Sequence, residues 1–395
     1  MKSNWKEERL GSLVRFSSGG TPNKNNPDYW NGTIPWISAK NMKSEVIETS
    51  DLSITEEGLI HGSKIAPKGS LLLLVRGSGL FNGIPVCYLE NAVAYNQDVK
   101  CIESTSELEN KYLFYWLKAN SGYLRKKIEF TSIGAGKFDT RFLSNLVVRF
   151  PDKVTRKKII DIADNISDRI NINRKINENL LQQARALFRK WFSITSSGLY
   201  KLSDIADINP ETYSPKENWS FVNYLDTSNI TSGTINEVQY IIPSEGKLPS
   251  RARRILRKDD VVFSTVRPNQ LHYGIISNPK PNMLGSTGFA VIRSKYETIP
   301  NEIIYLALTE SAFVEQMQQL AEQSVSTFPS IRPADLDACV LPEPKEDDND
   351  FVETIKSIFN AVATNNEENQ RLATLRDTLL PRLMSGELDV SRLDF

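Results

Sequence analysis

Histidine, cysteine and long apolar runs are all scarce in this chain, and each shortage removes a class of function. The 2 histidines, His61 and His272, lie far apart in sequence, so metal chemistry through imidazole has little support. The 3 cysteines, Cys87, Cys101 and Cys339, have no paired spacing. They make neither a disulfide framework nor a zinc site, and they suit a reducing compartment. No segment approaches the roughly 18 consecutive apolar residues of a membrane span; "SLLLLV" (Ser70–Val75) is only strand-length. The opening "MKSNWKEERL" has no apolar core and does not read as a signal peptide. A cytoplasmic location with no membrane partner is expected. Net charge is missing too, because 48 Lys+Arg balance 48 Asp+Glu. That argues against a general polyanion binder but leaves room for a local basic face.

What the chain does have is a core and a repeat. Its 395 residues are 40% hydrophobic and 24% charged, enough for two or three globular domains. A narrow apolar seam in steps of 4 and 3 runs through Ile159, Ala163, Ile166, Ile170, Asn173, Asn177, Leu180, Ala184, Leu187 and Trp191. It recurs at a fixed offset as Phe351, Ile355, Ile358, Val362, Asn365, Asn369, Leu372, Arg376, Leu379 and Leu383. The similarity reaches upstream: "PWISAKNMKS" (Pro35–Ser44) answers to "NYLDTSNITS" (Asn223–Ser232), and "KGSLLLLVRG" (Lys68–Gly77) to "KDDVVFSTVR" (Lys258–Arg267). Branched and aromatic runs such as "SLLLLV" and "FAVIRS", bounded by Gly, Pro and Asn, predict strands. "KYLFYWLKANSGYLRKKI" and "EIIYLALTESAFVEQMQQLA" predict helices.

The fold class is therefore α+β: two similar globular domains separated by two long helices, a pseudo-two-fold internal repeat. The expected boundaries are 1–150 for the first domain, 151–195 for the first helix, 196–341 for the second domain and 342–386 for the second helix. A tail covers 387–395. The seam spans 159–191, so each helix is about 50 Å long at 1.5 Å per residue. A narrow seam present in two matching copies favours the helices packing on each other as a coiled coil. The expected interface is Ile166, Ile170, Asn173, Asn177, Leu180 and Leu187 against Ile358, Val362, Asn365, Asn369, Leu372 and Leu379. A core amide costs stability unless it meets another amide, so the central Asn pairs fix register. Either direction places amides opposite amides; two-fold symmetry favours antiparallel. Pro381 is expected to kink or end the second helix.

No active site assembles from the motifs. "GSGLFNG" and "GAGK" are neither a dinucleotide fingerprint nor a P-loop, and the Asn/Asp-Pro-Pro-aromatic segment of an amino-methyltransferase is absent. Nuclease-like fragments such as Pro151-Asp152 and Glu109-Asn110-Lys111 lack a strand-borne carboxylate pair. What remains is polar loops holding Thr21, Lys40, Asn41, Arg76 and Lys137 in the first half, and Asn229, Arg267, Asn269 and Arg332 in the second. These side-chain types pair with base edges and phosphates. Any one such loop is more often simply solvated; their recurrence at matching places raises the nucleic-acid reading. Catalytic and metal residues are expected to be none.

Four stretches, "RLGSLVRFSSGGTPNKNNPDYWNGTIPWISAKNM", "TSIGAGKFDTRFLSNLVVRFP", "RRILRKDDVVFSTVRPNQ" and "LRDTLLPRLMSGELDV", occur in the order found in the specificity subunits of type I restriction-modification enzymes. The chain resembles that family along nearly its whole length. The resemblance implies a non-catalytic subunit whose domains each read half of a split double-stranded DNA target. Its helices would form an antiparallel coiled coil that spaces the half-sites and docks methyltransferase subunits, two in number. It also implies separate motor-nuclease subunits, with S-adenosylmethionine, Mg and ATP bound by partners and no cofactor in this chain. The alternatives are a self-contained DNA methyltransferase or nuclease, and a coiled-coil scaffold that binds no DNA.

Overall fold

The computed structural model describes residues 5–42, 44–81, 83–130, 135–194, 198–324, 329–342 and 348–390. Lys43, Asn82 and residues 131–134 of the stretches quoted above, and the tail from 391, fall outside them. The chain forms two compact units: residues 1–171 with 369–395, and residues 172–368.

In the first unit, β1 (Val14–Ser18), β2 (Trp30–Ile37), β3 (Leu71–Leu74), β4 (Arg76–Gly77), β5 (Val86–Leu89), β6 (Val93–Tyr95) and β7 (Val99–Ser104) precede helix α1 (Asn110–Ala119). The short strands β8 (Glu129–Phe130) and β9 (Gly136–Lys137) follow, and then the long helix α2 (Lys153–Ile194). One sheet runs β1-β7-β3-β5 and ends on Val46–Ile47, a second pairs β2 with β6 in parallel, and a third is β8-β9-β4. All four residues of β3 are fully buried, which is why this run shows no polar alternation.

The second unit repeats the plan with β10 (Ala206–Ile208), β11 (Val222–Leu225), β12 (Ala252–Ile255), β13 (Val261–Ser264), β14 (Tyr273–Ile275), β15 (Met283–Ser286) and β16 (Phe289–Ser294). Helices α3 (Asn301–Leu308) and α4 (Ser311–Glu322) and the long α5 (Asn349–Ser385) complete it. Its sheets are β10-β16-β13-β14, and β11-β15-β12 with Gln239–Ile241 at the edge. β11 and β15 are again a parallel pair, Leu225 opposite Gly285 as Ile37 is opposite Tyr95.

Each long helix begins on one unit and ends on the other. In the first unit Ile159, Ile160 and Ala163 of α2 share a core with Leu380, Leu383 and Met384 of α5. In the second, Ala184, Phe188 and Trp191 of α2 share one with Val352, Ile355 and Ile358 of α5. Trp191 stacks on Phe351 with ring centroids 4.9 Å apart. The start of one helix lies beside the end of the other in both units, so the pair is antiparallel.

Two expectations are corrected. Leu187 does not face the interface: it is 36% exposed, whereas Phe188 is 3% exposed. The seven-residue interval between Ala184 and Trp191 allows a 3-4 or a 4-3 step, and the bulkier ring takes the place facing the domain core. Pro381 does not end α5, which continues to Ser385. The proline ring is on the exposed side, and buried Leu383 and Met384 hold the last turn on the core. The helix stops at Gly386, whose φ of +77° suits glycine at a helix C-terminus.

The acidic fragments that imitate nuclease motifs are structural. Asp152 caps α2, accepting from the Val154 and Thr155 amides at 3.0 and 3.1 Å. Those bonds, the Thr155 amide first, hold its carboxyl below the usual range. Glu109 accepts from the buried Arg156 at 2.7 Å, and Lys111 meets Asp164 at 2.6 Å.

Candidate nucleic-acid interface

Strand directions gather the candidate loops of each unit at one end. In the first unit β1 ends where β7 begins, Ser18 opposite Lys100, and β3 ends there too, Leu74 opposite Val99. β2 and β6 end together, with the Asn96 amide donating to the Ile37 carbonyl at 2.9 Å. The loops after β1, β2, β3 and β6 therefore emerge side by side. Gly19 allows the closest approach: a Cβ there would sit 1.9 Å from the Tyr95 carbonyl oxygen. That brings Thr21 to Gln97, its hydroxyl donating at 2.7 Å.

Lys40 is exposed in the turn after β2. Asn41 is used inside that turn, accepting from the Ser38 hydroxyl at 2.7 Å. Arg76 and Lys137 are direct cross-strand partners on β4 and β9. The glycine-rich stretches are thereby explained without phosphate. "GSGLF" forms β4 and a short 3-10 turn. A Cβ at Gly136 would sit 3.0 Å from Ile128 and 3.1 Å from Leu80, so glycine lets β9 pack closely there.

In the second unit the ends of β11, β13 and β15 and the start of β16 coincide. Leu225 is opposite Gly285, Ser264 opposite Phe289, and the Thr265 amide donates to the Gly288 carbonyl at 2.8 Å. Asn229 lies in the 3-10 turn after β11. Arg267 has φ +48° and Leu271 φ +58°, a conformation that costs non-glycine residues of order 1–3 kcal/mol. Backbone bonds hold the loop in place, Arg267 to Pro329 at 2.9 Å and Ser232 to Leu271 at 2.8 Å. Asn269 is exposed, its amide donating to Gln318 at 3.2 Å. Arg332 lies beside this loop, since Ile331 bonds the Thr265 carbonyl. It is not an open cation: Asp335 accepts from its guanidinium at 2.7 Å and from its amide at 2.7 Å. That pairing holds the Asp335 carboxyl low.

The basic run "RARRILRK" (Arg251–Lys258) overlaps the family-like stretch quoted above, and sequence gives no ground for choosing within it. The structure separates its residues. Arg257 pairs with Glu211 at 2.6 Å, a structural role. Arg251 is exposed at the start of β12, where its carbonyl accepts from Thr287 beside the Asn229 and Arg267 loops. Gln97, on the Thr21 hydroxyl, was likewise missed; 76 residues separate the two.

The helix pair carries the other candidate residues. Asn177 is 7% exposed. Its side-chain oxygen accepts from Asn365 at 2.8 Å and its NH2 donates to Asn366 at 2.9 Å. Asn173, 2% exposed, donates to Glu368 at 2.7 Å. The amide-to-amide match is thus seen at Asn177–Asn365, while the bond described for Asn173 is to a carboxylate next to Asn369. Ile170 and Ile358 are buried, and Ile166, Leu180, Val362, Leu372 and Leu379 are half-buried. Arg376, polar where its counterpart Ala184 is apolar, is 7% exposed and donates to Glu45 at 2.8 Å. Among the described residues no group of three or more His, Cys, Asp or Glu side chains is placed to hold a metal ion. Nor, among the described residues, is any helix long and apolar enough to cross a membrane.

Comparison with known proteins agrees with this architecture. Residues 2–182 match the family model of the type I restriction modification DNA specificity domain. The chain is 30% identical over 162 residues to the EcoR124I/EcoR124II specificity subunit of Escherichia coli, covering 40% of each protein. It is 23% identical to the MjaIX specificity subunit of Methanocaldococcus jannaschii over 99% of this chain and 95% of that one. The crystal structure of a type I restriction-modification S subunit from M. genitalium superposes with a TM-score of 0.53 at 15% identity. That match covers 97% of this chain and 96% of the other. Residues 2–182 thus match the DNA specificity domain of type I restriction modification, and along nearly its whole length the chain is similar to specificity subunits of type I restriction enzymes.

Proposed function

We propose that each unit reads one half of a bipartite duplex DNA target, and that the antiparallel helices fix the gap between the halves and dock two methyltransferase subunits. The observation that carries this reading is a duplicated frame with different side chains at matched loop positions. Val75 and Thr265 occupy the same place, each bonded to the strand after the parallel pair, through Asp98 and Gly288 respectively. The next residue is Arg76, opposite Lys137, in one unit, and Val266, opposite Ser330, in the other. A shared scaffold with divergent loops suits two related recognition tasks. Base edges would be read by Asn, Gln and Arg side chains, with phosphates setting position.

The chain itself performs no bond-making step in this reading. Methyl transfer from S-adenosylmethionine, and Mg- and ATP-dependent cleavage, belong to the methyltransferase and motor-nuclease partners. Expressing the chain with the methyltransferase encoded beside it, and mapping methylated positions across a genome, tests the proposal. A split motif with one fixed gap is expected. A contiguous motif, or methyl transfer by the purified chain alone, would overturn it.

A further inference from the structure

The β8-β9-β4 ribbon of the first unit has two unlike faces. Glu129, Lys137 and Arg76 lie in one cross-strand row and Phe130, Gly136 and Gly77 in the other. Successive strand residues point to opposite faces. Only the middle of the second row packs inward: Gly136 lies against Leu80, whereas Phe130, 76% exposed, stacks on Phe81 with centroids 5.4 Å apart. The first row is turned away, with Arg76 exposed and Lys137 half-buried.

Like charges directly opposite each other on adjacent strands are destabilising. Nothing among the described residues offsets this pair. Glu129 is across from Lys137, but no ion pair closes between them, and Arg76 has no acid beside it in the row. Asp98 meets Arg76 only at the backbone, its carbonyl accepting from the Val75 and Arg76 amides, and its carboxylate accepts from Asn96. The corresponding bridge in the second unit joins Val266 to Ser330, with no charge. The flanking helix differs in the same sense. Arg125, Lys126 and Lys127 are exposed in the first unit, where α4 of the second presents Glu315, Gln316, Gln319 and Glu322.

We propose that Arg76 and Lys137 form a clamp for two adjacent backbone phosphates, a grip that the uncharged Val266–Ser330 bridge at the matching place of the second unit does not supply. The clamp rests on the DNA-reading function proposed above and deepens it. It would hold duplex of any sequence and supply much of the salt dependence of binding.

The test is binding of the methyltransferase complex to target and random duplexes at 50–200 mM salt, comparing wild type with R76Q/K137Q. Two lost phosphate contacts make the slope of log K against log salt shallower by about 1.8. The affinity deficit of the variant then narrows about 12-fold across that range. The deficit is expected on both duplexes alike, with thermal stability of the complex unchanged or raised, and V266A/S330A is expected to leave the slope untouched. An unchanged slope in R76Q/K137Q, a deficit confined to the target duplex, or a fall in stability overturns the clamp alone. Wild-type complex that does not prefer the target overturns the DNA-reading proposal itself.

Discussion

Arg156 is 1% exposed at the point where the first domain becomes the long helix α2. Its guanidinium bonds Glu109 at 2.7 Å, the Pro151 carbonyl at 3.0 Å and the Glu107 carbonyl at 3.1 Å, and it lies over the Phe150 ring. Removing one member of a buried pair strands the other, at a cost of about 3–5 kcal/mol. Glu109 keeps some solvent, so R156M is expected to lose roughly 3 kcal/mol in urea denaturation; a loss near zero would mean water replaces the guanidinium. In the second unit Glu211 binds Arg293 and Arg257. The hydrogen bond from Arg293 holds its carboxyl below the usual range against the desolvation that raises it, and Arg257 adds to the lowering. A carboxyl depressed on folding stabilises above its unfolded value of about 4.3 and loses that contribution as pH falls through the folded value. Thermal stability is expected to fall on acidification below about pH 4.3, and E211Q to be less stable at neutrality but less sensitive to acid. An E211Q curve parallel to wild type would remove Glu211 from the acid response.

At the scale of the element, the helix pair depends on a few side chains. Asn177 bonds both the half-buried Asn365 and the exposed Asn366, so N177L leaves the Asn365 amide short of a partner, at about 1–3 kcal/mol, while Asn366 turns to water. Pairing it with N365L is expected to recover part of that loss while loosening register, because an apolar seam tolerates sliding. A double-mutant cycle in the intact protein measures the coupling; additive losses would mean the two amides act independently. F188A is expected to cost about 3–5 kcal/mol and L187A under about 0.5 kcal/mol, a contrast that tests which residue completes the stripe. The seam was legible because heptad spacing survives in sequence, and so were the strands, because β3 is an unbroken apolar run and β13 opens with one, Val261–Phe263. Phe188 was not, since both steps satisfy the periodicity and only the domain core decides. Nor could sequence show which polar residues were free. Arg332 is consumed by Asp335 three residues on, a capping-box spacing that could have been read. The Thr21–Gln97 and Arg76–Lys137 pairings depend on strand register across long separations, and no local signal encodes that.

At the scale of the whole molecule, the first unit is closed by the far end of the chain. Leu380, Leu383 and Met384 lie in its core with Ile159 and Ile160, so truncation before Leu379 is expected to destabilise the N-terminal domain, although residues 172–368 form a separate unit. The same arrangement sharpens what a spacer test must do. Lengthening α2 alone by seven residues moves half of its stripe along α5 and breaks the Asn177–Asn365 match, so a mispaired or unstable protein is expected rather than a longer gap. Lengthening both helices by seven residues, at 171/172 and 368/369, keeps every seam position opposite its partner on either side of the insertion. Seven residues at 1.5 Å add about 10.5 Å, or about three base pairs of duplex. Complexes carrying the double insertion are therefore expected to methylate the same two half-sites with a gap about three base pairs wider. An unchanged gap, with the protein folded and active, would show that something other than the helices sets the distance.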